Sequence, residues 1–201
     1  MYCILVTGIP AAGKSTMAEL ISEHFCLPVI SKDKLKEVMY DDIGFQSREE
    51  KVKLGIASMD MMYAVAAQLM KCGQPFILEN NFEKTAEKPL LDILEKYSYT
   101  AITVILTGDY RKIYARFVER NASPDRHRGH VVNDCYPEKV PNAPAKVIPY
   151  EAYVRGITAR GMDSFAANGP RIVVDTTEFD KVCMAEVLKK IDECRTEILQ
   201  K

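Results

Sequence analysis

The sequence predicts an α/β domain built on a five-stranded, mostly parallel sheet, with helices on both faces and a small lid, and three observations carry that expectation. Five short apolar, β-prone runs alternate with helical patterns, as parallel strands joined by crossover helices require. Gly8-Ile9-Pro10-Ala11-Ala12-Gly13-Lys14-Ser15 fits the phosphate-binding pattern G-x-x-x-x-G-K-[ST] between the first strand and the first helix. The residues just past all five strands are polar, as expected where a ligand lies beyond the carboxyl ends of parallel strands.

Composition bounds the rest. A chain of 201 residues, 47% hydrophobic and 27% charged, suits one domain with a sizeable core and argues against disorder. A net charge of −1 gives no global attraction to nucleic acid or anionic membranes, although a local basic groove stays open. No apolar run is long enough to span a bilayer, and the amino terminus enters a strand rather than a signal peptide, so the cytoplasm is the default expectation. The six cysteines are scattered without a C-x-x-C pair, which favours reduced thiols. His127, His130 and Cys135 lie near one another but lack a fourth ligand at a recognisable spacing, so a metal site there is disfavoured.

In chain order, Tyr2-Cys3-Ile4-Leu5-Val6-Thr7 reads as the first strand, and apolar Met17, Leu20, Ile21 and Phe25 mark one face of a helix beginning near Lys14. Leu27-Pro28-Val29-Ile30 reads as the second strand, and Ser31 caps a helix over 32–40 that Asp41-Asp42-Ile43-Gly44 breaks. Val52, Ile56, Met59, Tyr63, Ala66 and Met70, at alternating steps of four and three, predict a long helix over 47–71 whose methionines fill core. Cys72-Gly73 stops it, and Pro75-Phe76-Ile77-Leu78 is the third strand, ending at Glu79-Asn80-Asn81. A helix over 84–97, a fourth strand over 101–106 and a helix over 109–121 with Ile113, Phe117 and Val118 on one face follow. The basic stretch 123–130 reads as a turn within a lid over about 116–130, mobile because Pro124 and Gly129 flank basic residues with few apolar anchors. Pro137, Pro141, Pro144 and Pro149 punctuate an irregular insert over 131–149. A helix over 150–167, the turn Asn168-Gly169-Pro170, the fifth strand Arg171-Ile172-Val173-Val174 and a helix over 181–199 complete one domain.

The chemistry gathers at the strand ends. Gly8 and Gly13 admit backbone angles that turn successive N–H groups around an anion, and the helix dipole adds to the same spot. Lys14 is spaced to reach β- and γ-phosphates, and the Ser15 hydroxyl to ligate Mg²⁺. Asp33 faces that loop across the cleft, where a carboxylate orients an acceptor hydroxyl and takes its proton; the alternative is a plain residue of a helix's first turn. Glu79 is placed to hold Mg²⁺ through water or to fix the acceptor, with Asn80 and Asn81 beside it, unless the asparagines only make a turn. Arg116, Arg120, Arg126 and Arg128 supply guanidinium groups able to close over a transferring phosphoryl group; a solvated basic helix face is the alternative, and it accounts well for Arg116.

Gly8 to Thr16, Ser31-Lys32-Asp33-Lys34-Leu35-Lys36, Leu78-Glu79-Asn80-Asn81-Phe82, and Arg120-Asn121 followed by Arg126-His127-Arg128-Gly129-His130 resemble, in order and spacing, the P-loop kinases of the adenylate kinase group. Within that group the likeness is to the polynucleotide-kinase-like and chloramphenicol-phosphotransferase-like small kinases, AAA-type P-loop ATP-binding proteins, and it covers about the first 130 residues. The resemblance implies the P-loop NTPase fold, ATP and Mg²⁺ as cofactors, and Asp33 as catalytic base with Lys14, Arg120 and Arg126 in the catalytic set. It implies further that Gly8, Ala11, Ala12, Gly13, Lys14, Ser15 and Thr16 bind the nucleotide, that Ser15 and Glu79 serve the metal, and that Asp175 and Thr177 border the adenine. Asp33, Lys36, Glu79 and Asn81 fall to the acceptor. Two positions depart from the family pattern: Glu79 stands where the acid is usually Asp, and Lys36 where polynucleotide kinases often carry an Arg, a bidentate contact lysine does not make.

The reading that follows is an ATP-dependent kinase acting on a hydroxyl of a small-molecule acceptor. A polynucleotide 5′-hydroxyl kinase ranks second, with Tyr40, Phe45, Arg48 and Lys51 as a thin version of the groove it needs. From another class comes a nucleotide-binding switch with slow hydrolysis, although no N-K-x-D sequence for guanine occurs. Residues 40–51, the long helix and the insert would choose the acceptor, and none encodes a readable specificity or an oligomeric state.

Overall fold

The computed structural model describes residues 1–140, 144, 146–163, 165 and 167–200. Strands β1 (Tyr2–Gly8), β2 (Val29–Ser31), β3 (Ile77–Glu79), β4 (Thr100–Thr107) and β5 (Arg171–Asp175) form one sheet in the order β2-β3-β1-β4-β5. Every pairing is parallel, so the mostly parallel sheet expected from the sequence is wholly so. All of β1 is buried, because helices cover both faces of the sheet. The crossovers leave β1 in opposite directions, which puts a topological switch point at its carboxyl end. β3 slots between β1 and β2, and the register aligns Val6, Glu79 and Ser31 in one row.

Around the sheet lie α1 (Lys14–Phe25), α2 (Lys32–Asp42), α3 (Arg48–Lys71), α4 (Lys84–Lys96), α5 (Tyr110–Ala122), α6 (Arg128–Val131), α7 (Tyr150–Arg160) and α8 (Met184–Leu199). Alternate residues of a strand face opposite sides. Ile4 and Val6 therefore join Met17 and Ile21 of α1, Ile113 of α5, Ile157 of α7 and Ile191 of α8 in one core layer. Cys3 and Leu5 join Met62, Ala66 and Met70 of α3 and Leu90 and Leu94 of α4 in the other. Among the described residues no helix is long and apolar enough to cross a membrane.

Four boundaries differ from the sequence reading, each for a local reason. α2 runs on through Asp42 and stops at Gly44, whose φ of 71° reverses the chain. The helix expected over 150–167 is α7 alone, closed by Gly161 at φ 66°, while residues 164 and 166 lie outside the described residues. α8 begins only after a 3₁₀ turn at Phe179–Lys181. The stretch 123–130, expected as a turn, contains the start of α6, where the His127 ring accepts from Gly129 N at 3.0 Å. Of the expected insert, Pro141, residues 142, 143 and 145 lie outside the described residues; in the remainder Tyr136 bridges to Phe45.

Candidate active site

The carboxyl ends of β1, β2 and β3 converge on one cleft. Gly8 has φ 144°, and a Cβ there would stand 2.2 Å from the Leu106 carbonyl oxygen of β4, so only glycine fits. Ala11 at φ 67° and Gly13 at φ 93° continue the alternation that turns N–H groups inward. No side chain caps the amino end of α1, and Tyr153 of α7 pins the loop from behind by donating to Pro10 O at 2.7 Å. Ala12 is buried, whereas Ser15 and Thr16 are exposed in the first turn of α1. Lys14 is only 8% exposed and donates to Ile9 O at 3.0 Å. Burial brings its pKa down to about 8; the Glu79 carboxylate resists this shift and Arg120 reinforces it.

Across the cleft Ser31 has two tasks. Its hydroxyl oxygen accepts from Lys34 N at 3.4 Å as the cap of α2, and the hydroxyl donates to Glu79 Oε2 at 2.5 Å. Glu79 is 4% exposed; burial raises its pKa, against the pull of Lys14 and the Ser31 hydrogen bond. Asp33, one residue into α2, lies 3.2 Å from Lys36 Nζ and 3.9 Å from Arg126 Nη2. Its surroundings disfavour charge, but Lys36 and Arg126 outweigh them and hold its carboxyl well below the usual carboxylate range.

The arginines complete the cleft. The Nε atoms of Arg116, Arg120 and Arg126 are buried with no hydrogen-bond partner among the described residues. A buried guanidinium N–H without an acceptor is costly, and those of Arg120 and Arg126, whose charges bear on Lys14, suit an anion such as a phosphate chain. Arg116 is not part of a solvated face: its Nη2 donates to Thr176 O at 2.6 Å, just past β5. Arg128 makes a two-pronged pair with Glu138, at 2.7 and 2.5 Å.

The stretch 127–133 is better anchored than its composition suggests. Tyr40 of α2 sits under it, with the rings of His127 and His130 at 5.9 and 5.7 Å, and a Cβ on Gly129 would come within 2.2 Å of the Tyr40 ring. His127 contacts Asp41 and His130 contacts Glu37, each at 3.0 Å, and burial pushes the His130 imidazole down to about 3. Lys51 of α3, itself buried, donates to His130 O, Val132 O and Asn133 Oδ1. The expectation of few apolar anchors is therefore corrected: the anchor is supplied by α2 and α3, far away in sequence.

Asp175 and Thr177 form a separate rim. Asp175 Oδ1 accepts from Thr177 N and Thr177 Oγ1 accepts from Asp109 N, both at 2.8 Å. Phe179, two residues on, packs on Gly13, where a Cβ would meet the ring at 2.4 Å, so this rim adjoins the phosphate-binding loop. Asn81 takes part through its carbonyl, which accepts from Thr7 Oγ1 at 2.9 Å; the buried side chain is that of Asn80, which donates to Met59 Sδ at 3.6 Å. The fold thus gathers Lys14, Asp33, Lys36, Glu79, Arg120 and Arg126 and sets Asp175 and Thr177 on the rim.

A family model described as an AAA domain matches residues 4–138, well over half of the chain. The chain belongs to the AAA domain family. Among solved structures, this AAA-domain protein is similar to a protein of Chloroflexus aurantiacus that carries a kinase designation, at 26% identity and TM-score 0.78, covering 96% of this chain and 97% of that one. It shares its fold with a gluconokinase from Sinorhizobium meliloti, at 12% identity and TM-score 0.53, over 100% of this chain and 97% of that one. A sugar kinase from a Janibacter species shares it too, at 12% identity and TM-score 0.56, over 98% and 95% of the two chains. The AAA-domain protein is therefore an α/β protein with the fold of small P-loop kinases.

Sequence reasoning missed Tyr153, Phe179 and the Tyr40–Lys51 support. Tyr153 had a weak signal, since Tyr153 and Ile157 stand four apart on one helical face and both are buried. Phe179 had none, because its role depends on a close approach to Gly13.

Proposed function

We propose that this AAA-domain protein is an ATP-dependent kinase that transfers the γ-phosphoryl group to a hydroxyl of a small-molecule acceptor. The observation that carries the reading is the convergence of Lys14 and the buried, unpartnered guanidinium Nε atoms of Arg120 and Arg126 on a cleft whose other wall holds Asp33. The N–H groups of residues 11–15 bind the β- and γ-phosphates, and the Lys14 ammonium turns from Ile9 O to their oxygens. Arg120 and Arg126, on a lid over 116–130, stabilise charge on the phosphoryl oxygens as it moves. Asp33, ionised at neutral pH, accepts a hydrogen bond from the acceptor hydroxyl, aims its oxygen at phosphorus and takes the proton as the new bond forms. Thr16 extends the phosphate-binding turn, and Asp175, Thr177 and Phe179 border the base.

The donor set fits Mg²⁺: the Ser15 hydroxyl would hold it, with Glu79, one of whose oxygens Ser31 already fixes, acting directly or through water. When bound, the ion bridges and neutralises phosphate oxygens. Six free cysteines support a reducing, cytoplasmic setting. The polynucleotide alternative loses one of its groove residues, because Lys51 Nζ is committed to oxygens of the segment 130–133.

The deciding experiment is acceptor-stimulated ADP release with Asp33→Asn. The substitution lowers stimulated turnover by about 10²- to 10⁴-fold while an ATP analogue still binds. Stimulation that survives the change refutes the role of Asp33, and turnover that needs no acceptor points to a switch.

A further inference from the structure

Beside Asp33 opens a cavity of about 500 Å³ between α2, α3 and α4, within the range of small-molecule pockets. Lys36 joins the two: its side chain lines the cavity while its Nζ lies 3.2 Å from the Asp33 carboxylate. The lining carries five cations, Lys32, Lys36, Arg48, Lys51 and Arg160, against the acids Asp60 and Glu83. Arg160 pairs with Glu83 at 3.1 Å and Lys36 with Asp33, so Lys32 and Arg48 are set against Asp60. Lys51 is spent on the segment 130–133, and burial lowers its pKa to about 7, so it is not a fixed charge of the wall. Arg48 is the group best placed to bind: its Nη1 donates only to the neutral Asn133 Oδ1, at 3.2 Å.

Val52, Ile56 and Met59, on the same helix as Arg48, give the lining an apolar part. Gly55 lies among them, in mid-helix, where glycine weakens a helix. A Cβ there would find Lys36 Cδ at 4.0 Å as its nearest neighbour, so the missing side chain leaves room between α3 and Lys36.

We propose that the acceptor is a small anion: a hydroxyl compound bearing a carboxylate or phosphate group, held by Arg48 in the field of Lys32, with its carbon skeleton on Val52, Ile56 and Met59. Lys36 steers its hydroxyl to Asp33. The inference rests on the kinase reading above. In the transfer the acceptor oxygen forms a bond to the γ-phosphorus, the bond to the β–γ bridging oxygen breaks with its electron pair leaving on ADP, and the hydroxyl proton passes to Asp33 and then to solvent.

The test begins with calorimetry of a non-hydrolysable ATP analogue with Mg²⁺, which examines the nucleotide site by itself. Acceptor-dependent ADP release is then measured over matched pairs: hydroxy acids against their amides, polyol phosphates against the free polyols, and an oligonucleotide with a free 5′-hydroxyl. The anionic members of at least one series are expected to have a KM lower by about tenfold or more, the effect of one charge-assisted hydrogen bond, and the two series distinguish carboxylate from phosphate. Arg48→Gln raises the KM for the active anion by about 10- to 100-fold, and Arg48→Lys recovers part of the loss. Ile56→Glu, at a side chain 58% exposed and so without risk to the core, raises it also by repulsion. Neutral members that work as well as their charged partners, stimulation by the oligonucleotide alone, or a silent panel with the analogue still bound each overturn the anionic acceptor and spare the nucleotide site. Failure to bind the analogue removes the kinase reading and this inference together.

Discussion

Lys14 offers a quantitative check on the proposed nucleotide site. It lies 8% exposed with a carbonyl as its hydrogen-bond partner, and its pKa falls to about 8 from an ordinary 10.5. In ligand-free protein about half of the Lys14 side chains are neutral at pH 8 and about nine tenths at pH 9. A triphosphate needs the ammonium and restores its pKa, so binding takes up about half a proton at pH 8 and nearly one at pH 9. The terminal phosphate, with a pKa near 6, is ionised throughout and adds nothing. Affinity then weakens by up to about tenfold, or ~1.4 kcal/mol, per pH unit above 8. The measurement is calorimetry of an ATP analogue with Mg²⁺ in buffers of different ionisation enthalpy, with Lys14→Met as the variant that loses the uptake. Stability has a defined sign as well. The unfolded chain holds more protons than the folded one between about pH 8 and 10.5, so ligand-free stability rises through that window, by at most about 3 kcal/mol, with the full penalty present below it. No proton uptake at pH 8 together with an affinity that is flat up to pH 9 would refute the reasoning.

Two further outcomes follow from the same contacts. Gly8→Ala drives a Cβ to within 2.2 Å of a β4 carbonyl at a φ of 144°, and is expected to lose more than about 2 kcal/mol in urea unfolding along with nucleotide binding; a variant as stable as the parent contradicts the geometry. Lys51→Met strips the donor from His130 O and Val132 O, each worth about 1–3 kcal/mol when left unpaired, so amide exchange over 128–133 accelerates at least tenfold. In the parent protein an ATP analogue slows exchange over 120–130, and equal rates with and without it remove the lid.

Much of the fold was legible, because strong local patterns carried it. The glycine spacing of the loop, the apolar strands and the cap at Ser31 all act within a few residues of one another, and the structure has them where the sequence suggests. What local pattern cannot carry is pairing. Nothing in Ile77 to Glu79 says that β3 enters between β1 and β2, yet that placement sets Glu79 beside Ser31 and in the field of Lys14. Arg116 looked solvated for the same reason: its acceptor, Thr176 O, lies 60 residues along the chain. The basic stretch looked loose because Tyr40, on which Gly129 rests, lies in another helix. Gly161 was passed over as a stop since apolar residues continue beyond it, and positive φ outweighs periodicity there.

The position of β3 also sets an order of assembly. β1 and β2 are made first but never touch, so a nascent chain that ends before residue 77 has both banks of the cleft and no span between them. Only when Ile77 to Glu79 arrive are Lys14 and Asp33 fixed opposite each other, after more than a third of the polypeptide has been made.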